Sequence, residues 1–234
     1  LPAAGALTRT QLWPWPPAQG QTLAVWLQAR QPVSLTVEFS GRAYPVVGGE
    51  AGRAWALIPF PPPLPPGAPP PTVAAGAETI LLSIPVEAGT FGAINIPAAV
   101  AQPILSQAAR VSAEAKRLAQ VFQTVQPAGW TARERFRAPL DGALARSSPF
   151  GTRRTYGDSP TLSAHEGEDF SAAAGAPVYA PAAGTVALAE TLFVRGNAVI
   201  LDHGHGVYTG YWHLSRIDVA PGETIAAGQQ IGAV

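Results

Sequence analysis

The sequence predicts a mainly β protein in two parts, with one amphipathic helix linking them. Three observations predict it. From about residue 20 to 97 the apolar residues recur with period two. Over 102–126 the spacing changes to alternating fours and threes, the period of a helix. Beyond residue 128 short apolar runs return, divided by Gly and Pro, and Gly175-x-x-Val178-x-Ala180 is echoed by Gly222-x-x-Ile225-x-Ala227.

Residues 1–18 hold Trp13-Pro14-Trp15-Pro16-Pro17. Proline fixes φ and removes a donor, so an extended lead-in is expected here. Between 19 and 100, Val33, Leu35, Val37 and Phe39 alternate with Ser34, Thr36 and Glu38, the pattern of a half-buried strand. Further strands are expected at 22–27, 42–47, 53–60, 78–86 and 91–96. Many short strands at such spacing predict an immunoglobulin-like β-sandwich. The proline-rich 60–71 segment is expected as a stiff connection. Within 101–127 the apolar stripe is Ile104, Ala108, Val111, Ala115, Leu118, Phe122 and Val125. Pro103 suits a first helical position, and Pro127-Ala128-Gly129 ends the run. Residues 130–147, with Trp130, Arg133, Arg135 and Arg137, are expected as a solvated connector. Residues 128–234 form the second β part.

Composition narrows the function. Of 234 residues 47% are hydrophobic and 13% charged, enough for a sizeable core. Net charge is zero, so no phosphate-tracking surface and no nucleic-acid partner are expected. With no cysteine there is no disulfide, thiolate ligand or thiol nucleophile. Lys116 is the single lysine and lies far from the hairpin turns, which removes a biotin- or lipoyl-carrier reading. No apolar run reaches the ~18 residues of a transmembrane helix. There is no methionine, position 1 included, so the chain is expected to be the processed form of an exported protein or a trimmed piece of a longer one.

All four histidines (His165, His203, His205, His213) lie in the last third. In His165-Glu166-Gly167-Glu168-Asp169 an imidazole and a carboxylate stand four apart, both good zinc ligands. Gly167 between them lets the chain bend, so both can turn to one point. Alone the motif is weak, and a solvated acidic loop explains it as well. Around it stand Ser148-Pro149-Phe150-Gly151, Gly196-Asn197, Asp202-His203-Gly204 and Tyr211-Trp212-His213-Leu214. Together these blocks, over residues 128–234, resemble the lysostaphin-type zinc metallopeptidases, murein endopeptidases that cut peptide links of peptidoglycan.

The resemblance implies a lysostaphin-like antiparallel β domain. It implies His165 and Asp169 as zinc ligands and His213 as the catalytic histidine. It implies peptidoglycan peptides as substrate and an exported protein of the bacterial periplasm or cell envelope. His203 takes a structural or peripheral place and His205 an exposed turn. Arg153 or Arg154 is a candidate to orient a carboxylate, and Asn197 is read first as a turn former. The family carries a His-x-His pair after its Gly-Gln-x-Ile-Gly strand, which supplies the third ligand, whereas this chain ends at Gly228-Gln229-Gln230-Ile231-Gly232-Ala233-Val234. The third ligand is therefore expected beyond Val234. Residues 1–234 alone are expected not to hydrolyse peptidoglycan, with an unpaired strand edge near 229–234. Two classes stay open: a zinc endopeptidase, or a non-catalytic relative that binds peptidoglycan, activates other wall hydrolases or serves a structural role among envelope proteins.

Overall fold

The computed structural model describes residues 7–30, 35–48, 52–62, 72–75, 78–126, 129, 135–142 and 145–234. It divides into two compact units, residues 1–92 and 93–234.

The first unit holds β1 (Leu7–Trp13), β2 (Thr22–Ala29), β3 (Leu35–Phe39), β4 (Arg42–Tyr44), β5 (Val46–Gly48), β6 (Arg53–Pro59), β7 (Thr72–Ala75) and β8 (Glu78–Leu81). They form two four-stranded sheets, ordered β1-β2-β6-β5 and β4-β3-β7-β8. Lettered along the chain, this is the A-B-E-D and C′-C-F-G order of immunoglobulin-type sandwiches. Alternate residues of both sheets, among them Leu23, Val25, Leu27, Val37, Phe39, Ile58 and Val73, meet in one core, where Phe39 and Phe60 pack edge to face.

Three expectations change here. The lead-in is not free of the sheet: β1 pairs antiparallel with β2 from Leu7 to Trp13, because its own apolar residues precede the prolines. The single strand expected at 42–47 is two strands in different sheets, separated at Pro45, which has no N–H to continue a ladder. The alternation over 78–86 is real, since Leu82 and Ile84 are buried, but the ladder stops at Leu81. Residues 63–71 of the proline-rich segment lie outside the described residues, as do Trp130 and Arg133.

The second unit opens with β9 (Ala93–Ile96), followed by α1 (Ala98–Leu105), α2 (Ala108–Val121), β10 (Ala145–Ser148), β11 (Arg153–Tyr156), β12 (Ser159–Ala164) and β13 (Asp169–Ser171). Then come β14 (Pro177–Tyr179), β15 (Gly184–Leu192), β16 (Gly196–Asp202), β17 (Tyr208–Leu214), β18 (Arg216–Ile217), β19 (Thr224–Ile225) and β20 (Gln230–Ala233). The strand expected to close the sandwich at 91–96 is β9, and it pairs parallel with β11. The boundary therefore falls after Gly92 and not near residue 100.

The expected single helix is two. Pro103 sits inside α1, not at its first position, and α1 ends two residues later. An interior proline removes one i→i−4 bond and crowds the preceding turn, which favours a stop. The buried stripe of α2 is also shifted: Glu114, Leu118 and Val121 are buried, while Phe122 is 42% exposed. A carboxylate thus occupies a core position of the helix.

The main sheet is β17-β16-β15-β19. Ala198–Leu201 of β16 are all fully buried because both faces are covered. Val186, Val199, Leu201 and Ile225 pack on one face with Val178 and Ile231. Leu188, Ala198 and Ile200 pack on the other with Leu118 and Val121 of α2. The repeat seen in the sequence is two like turns: Gly175 and Gly222 both have positive φ and lead into β14 and β19. The edge expected near 229–234 is not unpaired. β20 is the middle strand of β14-β20-β18, held on both sides.

Candidate metal centre

His165 and Asp169 flank the loop between β12 and β13. The backbone of His165 is tied across to the preceding turn, its N–H donating to Thr152 O at 2.9 Å and its carbonyl accepting from Gly151 N–H at 2.8 Å. Asp169 begins β13 opposite Ser148 of β10. Those two anchors bring the side chains together: His165 Nε2 lies 3.1 Å from Asp169 Oδ1. Gly167 lies close beneath, where a Cβ would stand 3.8 Å from His165 Nε2.

The tautomer follows from the partners. His165 Nδ1 is 3.2 Å from Pro149 O, which can only accept, so Nδ1 carries a proton. The same nitrogen is 3.2 Å from Ser148 Oγ. In the neutral ring the Nε2 lone pair then faces a carboxylate oxygen. Two such lone-pair donors at 3.1 Å converge as a pair of metal ligands would. The imidazole is 8% exposed, fixed and oriented through its far nitrogen as metal-ligating histidines are. This pair fits zinc in donor type and direction. Catalytic zinc takes three protein ligands, and the described residues bring no group of three together.

Of the two arginine candidates, the structure selects Arg154. Its Nη2 donates to Ser148 Oγ at 3.1 Å and lies 3.7 Å from Asp169 Oδ2. Ser148 therefore touches both Arg154 and His165, a link that residue types alone did not reveal. Glu168 turns away: its carboxylate pairs with Arg146 at 2.8 Å and accepts from Phe150 N–H at 3.0 Å.

His213 does not touch this pair among the described residues. It stands near the end of β17 with φ +58, a left-handed conformation uncommon for residues other than glycine. The cause is a β-bulge. Asn197 pairs with Leu214 and Val199 with Tyr211, so Trp212 and His213 both stand against Ala198. The bulge breaks the alternation of β17. Tyr211 and Leu214 pack on one face, Trp212 on the other, and His213 is left exposed. His213 is therefore not a core residue. Asn197 is more than a turn former: Nδ2 donates to Leu214 O at 3.0 Å and Oδ1 accepts from Thr191 Oγ1 at 2.6 Å, pinning the strand just past the bulge.

Arg195 links the two places. Its carbonyl accepts from His213 N–H at 2.8 Å, and its guanidinium lies 5.3 Å from the Trp212 ring. Nη2 reaches Glu166 Oε2 at 3.7 Å, a solvated contact worth little. Nη1 donates to Glu114 Oε1 at 2.8 Å, while Glu114 Oε2 accepts from Val194 N–H at 2.6 Å. The one buried acid of α2 thus holds the β15–β16 turn that carries Arg195. Glu114 sits in a helical stripe with no sequence signal for such a role. Glu114→Ala is expected to lower stability by about 1–3 kcal/mol, the cost of a buried donor left without its acceptor. Urea unfolding of residues 93–234 within the whole chain checks this, and an unchanged midpoint would remove the clamp.

His203 is structural. It is 1% exposed, with Nδ1 2.7 Å from Ala183 O and Nε2 2.8 Å from Thr209 Oγ1. Burial pushes its pKa below the usual histidine value. The unfolded chain therefore takes up a proton that the folded chain resists. Stability should be full above about pH 6.5 and fall as the pH drops below it. His203→Gln should flatten that fall, and equal slopes in urea titrations of both proteins would refute it. His205, expected to be exposed, is half-buried with φ +55, and its N–H donates to Gln126 O at 2.8 Å.

Residues 163–234 match the model of peptidase family M23. The C-terminal part of this chain belongs to that family. Peptidoglycan DD-endopeptidase ShyA of Vibrio cholerae is 36% identical over 96 residues, 41% of this chain and 22% of the relative. DD-carboxypeptidase/endopeptidase Mpg of Neisseria meningitidis is 40% identical over 88 residues, 38% of this chain and 20% of the relative. The matched stretch spans about a fifth of the length of these relatives. A crystal structure of a Pseudomonas aeruginosa protein described as an M23 peptidase aligns over 93% of this chain and 82% of its own, at TM-score 0.67 and 27% identity. That likeness extends through both units, far beyond the family match.

Proposed function

We propose that this chain is part of a zinc-dependent endopeptidase that hydrolyses peptide bonds of peptidoglycan, working in the periplasm or cell envelope. The observation that carries the reading is the convergence of His165 Nε2 and Asp169 Oδ1 at 3.1 Å within the family match. The names of the peptidoglycan-cleaving relatives support the substrate class.

His165 and Asp169 would hold the ion. Bound zinc acidifies a water to a pKa of about 7 and polarises a carbonyl. Pro149 and Ser148 keep the imidazole turned so that Nε2 faces the site. Arg154 stands behind the outer oxygen of Asp169, 3.7 Å from it. His213, displaced from both cores by the bulge, is the group free to accept a proton or to donate to the developing oxyanion.

A non-catalytic envelope protein is the second reading, favoured by the lack of a three-donor cluster among the described residues. One experiment separates them. The zinc-loaded full-length protein is incubated with purified peptidoglycan and the released fragments are identified by mass spectrometry. Peptide-bond cleavage that stops with chelator and returns with zinc supports the enzyme. Binding without new termini supports the second reading.

A further inference from the structure

The outer face of the β1-β2-β6-β5 sheet carries chemistry that the second unit does not use. Its inward residues build the core of the first unit. The pleat sends the alternate residues outward. The register sets Gln11, Trp26, Trp55 and Val47 in one row across the four strands. Trp13, Ala24 and Leu57 form the next row, and Arg9, Gln28 and Arg53 the row on the other side. Trp13 is 68% exposed and Trp26 38%, and Trp15, just past β1, is 53% exposed. Arg30 follows β2 and is also exposed.

This face has one sign of charge. The four strands contain Arg9 and Arg53 and no Asp or Glu. Among the described residues none of Arg9, Arg30 and Arg53 is in an ion pair. Trp26 and Trp55 are direct neighbours across β2 and β6, and Trp13 stands in the next row beside Ala24. Neighbouring strands lie about 4.8 Å apart, a step close to the length of one sugar ring. A pyranose offers a C–H face to an indole and hydroxyl edges to carboxamide and guanidinium groups. The aliphatic side chains of these rows are Ala24, Val47 and Leu57, few for the apolar core of a stable protein interface.

We propose that this sheet face binds an anionic polysaccharide, with sugar rings stacked on Trp13, Trp26 and Trp55 and carboxylates facing the arginine end. The inference goes beyond the peptidase reading and does not rest on it, because no residue of the face belongs to the metal centre.

The test is a titration of residues 1–234, followed by tryptophan fluorescence. The probe is peptide-free glycan strands of β-linked amino sugars that bear carboxylates; neutral chitin oligosaccharides are the counterpart. Binding to the anionic strands is expected, weakening with added salt as exposed charges are screened. Trp13→Ala and Trp26→Ala should each weaken it about tenfold, as for other aromatic anchors. Arg9→Gln with Arg53→Gln should remove the preference over chitin. Both tryptophans point away from the core, and circular dichroism checks that the variants stay folded. No binding at low salt overturns the proposal, as does binding indifferent to both tryptophans. Equal, salt-independent binding to chitin overturns the anionic class. A dimer that Trp26→Ala dissociates, with no glycan bound, assigns the face to a second copy instead.

Discussion

Asp169→Ala is expected to lower the zinc affinity of the full-length protein by more than about a hundredfold, since altering even groups behind the ligands costs 10–100-fold. The carboxylate would supply the only anionic oxygen of the pair, and its loss leaves His165 facing Arg154 across an empty position. Arg154 then places a positive charge near the ion with nothing to offset it. Metal content after dialysis against a weak chelator reads the effect directly. Full zinc occupancy in the variant would end the assignment of Asp169. Fold loss is a separate outcome: Asp169 is half-exposed, so the melting temperature should hardly change.

His213→Ala is expected to retain zinc and slow hydrolysis by about 10²–10⁴-fold, the usual worth of general acid–base help. The side chain is exposed and its ring has no hydrogen-bond partner among the described residues, so truncation disturbs no core. The left-handed φ of residue 213 strains any residue that carries a Cβ, alanine included, so circular dichroism should confirm that the variant stays folded. Zinc lost together with activity would make His213 a ligand. Unchanged digestion of peptidoglycan would make the bulge a structural irregularity only.

Much of this protein was legible in its residues. Alternation with period two marked the strands, because a sheet buried on one face must repeat every second residue. Four histidines in one third of the chain and His165-x-x-x-Asp169 marked a candidate site only together with the surrounding blocks that carry the family resemblance, because the motif by itself is weak. Legibility failed wherever a partner far along the chain decided the outcome. Nothing local in Ala93–Ile96 says that it pairs with β11 and not with the sandwich. Pro103 signals a helix boundary, but whether it starts or shortens a helix depends on what caps the preceding turn.

Residue types by themselves determined the β class, the break into strand and helix periods, and an imidazole and a carboxylate of zinc-ligand type four positions apart. Those properties follow from short-range periodicity and from donor chemistry. Tertiary structure alone decided that Glu114 is a core acid, that Ser148 and Arg154 stand behind the His165–Asp169 pair, and that a bulge turns His213 outward. Each of these depends on contacts between residues 6 to about 80 positions apart, and such contacts exist only once the sheets have closed.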